Sequence, residues 1–257
     1  MVEAAEIVSA KLVAARACVL GVLAFRGRFE TVIADAKGDM TEALQMVLGV
    51  MDWAEQSGVR VYATKTEDHL FGTAPASWVD PTLRGVARWH EESLGSLLWC
   101  LDLAEPVPYD DGFDGEKLFR TLPFLSDSPF VTREDMTPRE ELDAMLEGAT
   151  LRDTDEIRAE RARAELWLWR ARQAQQVAEG KAARTEVMPR VAERATQAAS
   201  EGILEASDGD FLAFGKRYEA LGEQEHAIAT SIATSRLRAL NWACGRAHDW
   251  DAVPLDT

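Results

Sequence analysis

The sequence predicts a mainly α protein: a multi-helix domain over residues 1–257 with at most a minor β element near 59–64. Three observations carry this. Apolar residues recur at helical spacing along most of the chain. Cap residues and first-turn prolines stand where those stretches begin. Only one short run, Val59 to Thr64, has the alternating β-branched character of a strand.

The elements follow in order. Glu3 to Phe25, rich in Ala, Leu and Val, reads as a first helix with one apolar face. Thr41 to Gln56 reads as a second, with Thr41 as N-cap, Leu44, Val47, Leu48 and Met51 on the core face, and Gly58 as its stop. Asp80-Pro81 opens a third by cap and first-turn chemistry. It extends to Leu103, with Trp89, Leu94, Leu97, Leu98 and Leu101 inward, and must end before Pro106 and Pro108. Residues 105–135 hold Pro, Gly and acidic residues, and read as a surface connection or a subdomain boundary. Thr137-Pro-Arg-Glu140 is a capping box for a helix to Glu147. Asp153 caps a long helix to Gly180, whose stripe of Ile157, Ala164, Leu168, Ala171, Ala174 and Ala178 permits close packing. Pro189 is read as starting a helix to Glu201, and Asp208-Gly209 as a turn. Two final helices are expected over Asp210–Leu221 and Glu223–Cys244, with Gly245 as the last stop.

Composition narrows the function. The net charge is −16, with 12 Lys+Arg against 20 Asp+Glu in residues 1–133 and 16 against 24 in 134–257. The charge is spread evenly, so nucleic acid and anionic membrane are poor partners and a basic protein is a good one. Cys18, Cys100 and Cys244 are odd in number and far apart, which reads as buried free thiols in a reducing, cytoplasmic setting. Leu12 to Phe25 imitates a signal-peptide core, but Glu3 and Glu6 precede it and Arg16 interrupts it. It is also too short to span a bilayer.

Three stretches carry a resemblance. They are RWHEESLGSLLWCLDL at Arg88–Leu103, followed by Pro-Val-Pro-Tyr109; LRDTDEIRAERARAELWLWRAR at Leu151–Arg172; and the closing RLRALNWACG…DWDAVPLDT. In that order, over roughly residues 80–257, they resemble the bacterial family called domain of unknown function 4272. The N-terminal third is similar only loosely, through the apolar helix around Arg16 to Phe25. Glu91 or Glu92 takes the family Glu position and Trp99 its Trp; Asn241, Trp242, Trp250, Asp251, Asp256 and Thr257 take the terminal positions. Ser93-Leu94 stands where the family has Ala-Leu, and Arg-Leu-Arg at 236–238 where Glu-Arg-Arg is common. The resemblance implies a helical, soluble bacterial protein and names no activity.

No motif fixes a reaction. His90-Glu91 is not a zinc-binding HExxH, because Leu94 stands where the second His belongs. Arg88 and Glu92 are four apart and can pair on one helix face. The carboxylates of 110–116 do not have calcium-loop spacing, so a solvated loop is the default. His69, His90, His226 and His248 lack metal spacing; no metal or cofactor is expected.

The closing segment has two readings. Asp249, Asp251 and Asp256 could line a pocket floored by Trp242 or Trp250, suited to a cationic ligand or a basic peptide. In the other, Trp250 is a latch that plugs the core while the Asp residues cap helices or pair with Arg236 and Arg238. Two functions follow. One is an acidic, cytosolic interaction protein that binds a basic protein, of the immunity or antitoxin type. The other is an enzyme or small-ligand binder, with a pocket between the central and C-terminal helices drawing on Arg88, Glu92, Asn241 and Asp251.

Overall fold

The computed structural model describes residues 6–36, 38–125 and 127–256; the side chains of Val86 and Arg88 lie outside the described residues. The structure is 64% helical, with nine α-helices and one small three-stranded sheet among the described residues.

Helix α1, Ala10–Asp35, is the centre of the molecule. It starts later and ends later than the expected 3–25, with Ser9 accepting from the Leu12 N–H as its cap. Every residue from Val13 to Gly27 is buried, so it has no polar face. A helix apolar all round is one that other helices surround. Helix α4, Pro81–Cys100, packs along it, and Gly27 meets Ala87 so closely that a Cβ at Gly27 would overlap the alanine.

Helix α2, Thr41–Ser57, begins at the residue expected to cap it: Met40 is the N-cap, and Asp39, rather than Thr41, accepts from the first N–H. Its buried residues are Ala43, Val47, Val50, Trp53, Ala54 and Ser57, while Leu44 and Leu48 point to solvent, so the helix is rotated from the expected face.

The expected strand at 59–64 is instead a 3₁₀ turn, Val59–Tyr62. Gly58, at φ 75°, turns the chain out of α2, and a Thr64–Glu67 capping box at once opens α3, Lys65–Gly72. Among the described residues the strands all lie within 206–217, and β-branched residues do not make a strand alone.

Asp80 caps α4 as expected, and Leu94, Leu97, Leu98 and Leu101 are buried; Trp89 is 37% exposed and does not join them. Residues 105–135 contain α5, Gly115–Arg120, and their Tyr109, Leu118, Phe119 and Leu122 belong to the main core. Helix α6, Pro138–Gly148, has the predicted capping box, and α7, Thr154–Ala178, the predicted Asp153 cap. Ile157, Ala164, Leu168 and Ala171 of the small-residue stripe are buried, but Ala178 is exposed. Helix α8, Arg184–Ser200, begins before Pro189, which sits exposed in its second turn.

The expected helix 210–221 is a β-meander of β1 Ala206–Ser207, β2 Asp210–Ala213 and β3 Lys216–Arg217, followed by a 3₁₀ turn at Tyr218–Ala220. Asp208-Gly209 and Phe214-Gly215 link the strands as two-residue loops with all four φ positive. That is the type I′ geometry that suits a right-twisted hairpin. Helix α9, Glu223–Ala243, ends in a Schellman motif: Gly245 N–H donates to Trp242 O and Arg246 N–H to Asn241 O. The last 3₁₀ turn, Trp250–Ala252, is capped by Asp249. Among the described residues no helix is long and apolar enough to cross a membrane.

Candidate functional site

Glu92 and Arg236 form the knot from which the site is built. Glu92, on α4, turns its carboxylate to α9, where Arg236 Nε donates to Oε2 at 2.9 Å; the Arg88 side chain expected beside it lies outside the described residues. Both side chains are buried. Arg236 places its remaining donors on the irregular segment after α4: Val107 O at 2.6 Å, Pro108 O at 3.0 Å and Asp111 O at 2.7 Å. Its guanidinium lies over the rings of Tyr109 (4.8 Å) and Phe113 (4.7 Å). The other Glu92 oxygen accepts from the Phe113 N–H. The Phe113 ring packs on Gly95, where any Cβ would overlap it. A segment without regular hydrogen bonds is thus held by one buried ion pair, satisfying the carbonyls that burial would otherwise leave orphaned.

The held segment forms one wall of a cleft of about 580 Å³, within the size range of ligand pockets. The opposite walls are α7, with Glu160, Arg163 and Trp167, and the approach to the meander, with Leu204, Glu205 and Leu212. Tyr109 and Trp167 stack at its base, centroids 5.4 Å apart and planes 6° apart. Tyr109 Oη donates to Glu160 at 2.9 Å; burial, with the Glu160 charge, keeps the phenol protonated well above its ordinary pKa. Arg163 binds Glu160 and Ile203 O. Asp110 accepts from the Phe214 N–H, fixing the second hairpin against the wall. The lining holds three carboxylates, Asp110, Glu160 and Glu205, against one guanidinium, Arg163.

The other sequence candidates are scattered. The side chain of Arg88 lies outside the described residues. Glu91 packs its carboxylate on Gly115 at the start of α5. Trp99 is under the Arg152 guanidinium, and its carbonyl accepts from Arg152. Asn241 is buried, accepting from Arg161 at 2.6 Å and donating to Pro254 O at 2.7 Å. Trp242 and Trp250 are buried edge to face, 5.8 Å between centroids, and Trp250 also covers the Arg16 guanidinium at 4.3 Å. Asp251 is exposed and accepts from Thr66; Asp256 is exposed, and Thr257 lies outside the described residues. These residues do not converge on one pocket. The latch reading describes Trp250, except that Arg236 is paired with Glu92 and not with a terminal Asp.

Sequence reasoning missed three more buried pairs of the same design. Arg16 meets Glu67, Arg26 meets Glu30, and Arg170 meets Asp210. Each guanidinium also covers a ring: Trp250, Trp78 and Tyr218 in turn. For Arg16 and Arg26 the signal was a charge inside an otherwise apolar helix, which must have a partner; Arg170, on the charge-rich α7, gave none. All three cysteines are free and buried, and burial raises the thiol pKa of each. In the 110–116 loop, Asp110, Asp111 and Asp114 accept backbone N–H groups. Among the described residues no three His, Cys, Asp or Glu are grouped to hold a metal ion.

The architecture and site define a helical protein tied by buried arginine–carboxylate pairs, with an acid-lined cleft. The chain belongs to the family described as Domain of unknown function (DUF4272), whose model matches residues 2–198. The match takes in the N-terminal third, expected to be only loosely similar, and stops short of the closing segment, the third of the stretches that carry the resemblance. No curated protein and no solved structure matches the chain.

Proposed function

We propose that this protein binds a basic protein partner, and that a lysine or arginine of that partner enters the cleft between the 106–110 segment, α7 and the meander. The observation that carries the reading is the lining: three carboxylates to one guanidinium, over apolar walls, in a chain of net charge −16. Lysine and arginine match it in both parts. The methylene stem lies along Pro106, Pro108, Leu204 and Leu212, and the cationic head reaches Glu205 and Asp110. The remaining negative surface steers the basic partner in and repels duplex nucleic acid. An immunity or antitoxin role, masking the basic surface of a nuclease, is one concrete form. The family match includes one wall of the cleft, 106–110, and α7, but not the meander.

The test is fluorescence anisotropy of a labelled nona-arginine peptide against wild type, Glu205→Lys and Glu193→Lys. Glu193 is exposed on α8, away from the cleft lining. The reading expects Glu205→Lys to weaken binding roughly tenfold and Glu193→Lys far less. Equal effects from both would reduce the interaction to net charge and remove the cleft from it.

A further inference from the structure

A second hollow, with the opposite electrostatic character, lies between α4 and α9. Its volume is about 250 Å³, enough for a small molecule of one ring. Helix α9 supplies one wall, and Trp89, His90 and Ser93 of α4 supply the other; Trp250 closes one side. Among the described residues no carboxylate lines it, in a chain with 44 Asp+Glu against 28 Lys+Arg.

Two side-chain groups on the walls of this hollow have no partner among the described residues. Arg238, half-buried, makes no hydrogen bond or ion pair among the described residues. The buried arginines 16, 26, 170 and 236 are each paired with a carboxylate. His90 Nδ1 is buried with no hydrogen-bond partner. Burial lowers the His90 pKa to about 4, with Arg16 and Arg238 adding to the effect and Glu67 opposing it, so the ring is neutral at physiological pH. A buried, unpartnered ring nitrogen costs free energy, and here it lies in a residue on the wall of the hollow.

The hydroxyls add a second requirement. Ser93 donates to Ser235 O, Thr230 to His226 O and Thr234 to Thr230 O. Each of these three has spent its proton on a backbone carbonyl and offers only lone pairs to the hollow, while Ser231 and Ser235 also line it. A ligand must therefore bring donors for these oxygens, an anionic group for the Arg238 fork, and an apolar face for the flanking Trp89 and Trp250.

We infer that the hollow between α4 and α9 is a binding site for a small organic anion, a carboxylate or phosphate monoester that also carries hydroxyl or amino donors. It is separate from the acid-lined cleft and takes a ligand of opposite charge, so the two readings stand or fall independently.

The experiment is a melting-temperature screen of the full chain with gluconate, glucose 6-phosphate and serine, and with glucose and sulfate as controls, the first lacking the anion and the second the donors. A ligand held at 100 times its Kd raises the melting temperature by about 5–10 °C. At least one of the three probes should do so, and neither control should. Isothermal titration then compares wild type with Arg238→Gln, a half-buried helix position whose folding is checked by circular dichroism. The variant should bind roughly 10- to 100-fold more weakly, the loss of a charge-assisted bond. No shift from any of the three probes, or equal affinity in folded Arg238→Gln, would overturn the inference.

Discussion

Replacing Arg236 by methionine tests the structural basis of the cleft. The substitution keeps an unbranched apolar stem and removes the guanidinium. Four hydrogen bonds go with it, to Glu92, Val107 O, Pro108 O and Asp111 O. Glu92 stays buried with the Phe113 N–H as its one remaining bond given by the structure. Breaking a buried pair from one side typically costs about 3–5 kcal/mol. That is a large part of the roughly 5–15 kcal/mol that holds a domain folded. At about 2–4 °C per kcal/mol for a chain of this length, the melting temperature should fall by roughly 6–20 °C. The double variant Glu92→Leu/Arg236→Met removes the orphaned charge as well, and should cost less than the sum of its singles. Urea denaturation of the two singles and the double measures both quantities. An Arg236→Met protein within about 1 kcal/mol of wild type, or strict additivity, would refute the reasoning.

Three further outcomes follow from named contacts. Deleting residues 246–257 removes buried Trp250 from Arg16 and Trp242 and frees Asn241 from Pro254. It should cost at least the 3–5 kcal/mol or so of a Trp→Ala change, and a melting temperature within a degree of wild type would make that segment an inert tail. Gly95→Ala should destabilise by about 1–3 kcal/mol, because the new methyl displaces the Phe113 ring from under Arg236; a neutral result in denaturation would contradict that packing. His90 sets an acid sensitivity: its pKa is 6.5 unfolded and about 4 folded. The unfolded chain takes up the proton first, so stability falls as pH drops from 6.5 to 4, by up to about 3 kcal/mol from this group. His90→Gln should flatten the stability profile in that window, and an unchanged slope would assign the sensitivity to other groups.

Local chemistry made much of the fold legible. Asp80-Pro81, the Thr137–Glu140 box and Asp153 mark helix starts that the structure keeps, because a cap is set by residues within one turn. The burial of Trp242 and Trp250 followed from the size of the indole. The failures were of two physical kinds. Val59–Thr64 had strand propensity but no partner, and 210–221 had apolar residues compatible with a helix until two type I′ loops folded it back. Pairing of that kind is decided in three dimensions. The candidate site was less legible, because its residues come from segments far apart in sequence. Glu92 was identified as a signature position, but its partner lies 144 residues away and its effect is on a third segment, 107–113. Tyr109 appeared only as the end of a proline-rich string, and Glu160 and Trp167 as ordinary members of α7.

The central claim is that a cationic side chain of a basic partner enters the cleft over Tyr109 and Trp167. Zero-length carbodiimide coupling of a lysine-rich peptide to the protein's carboxylates, mapped by mass spectrometry, tests it most directly. The account predicts amide links concentrated at Glu205 and Asp110, lost when excess salt or unlabelled basic peptide competes. Links spread over the acidic surface, with none at those two residues, would contradict it.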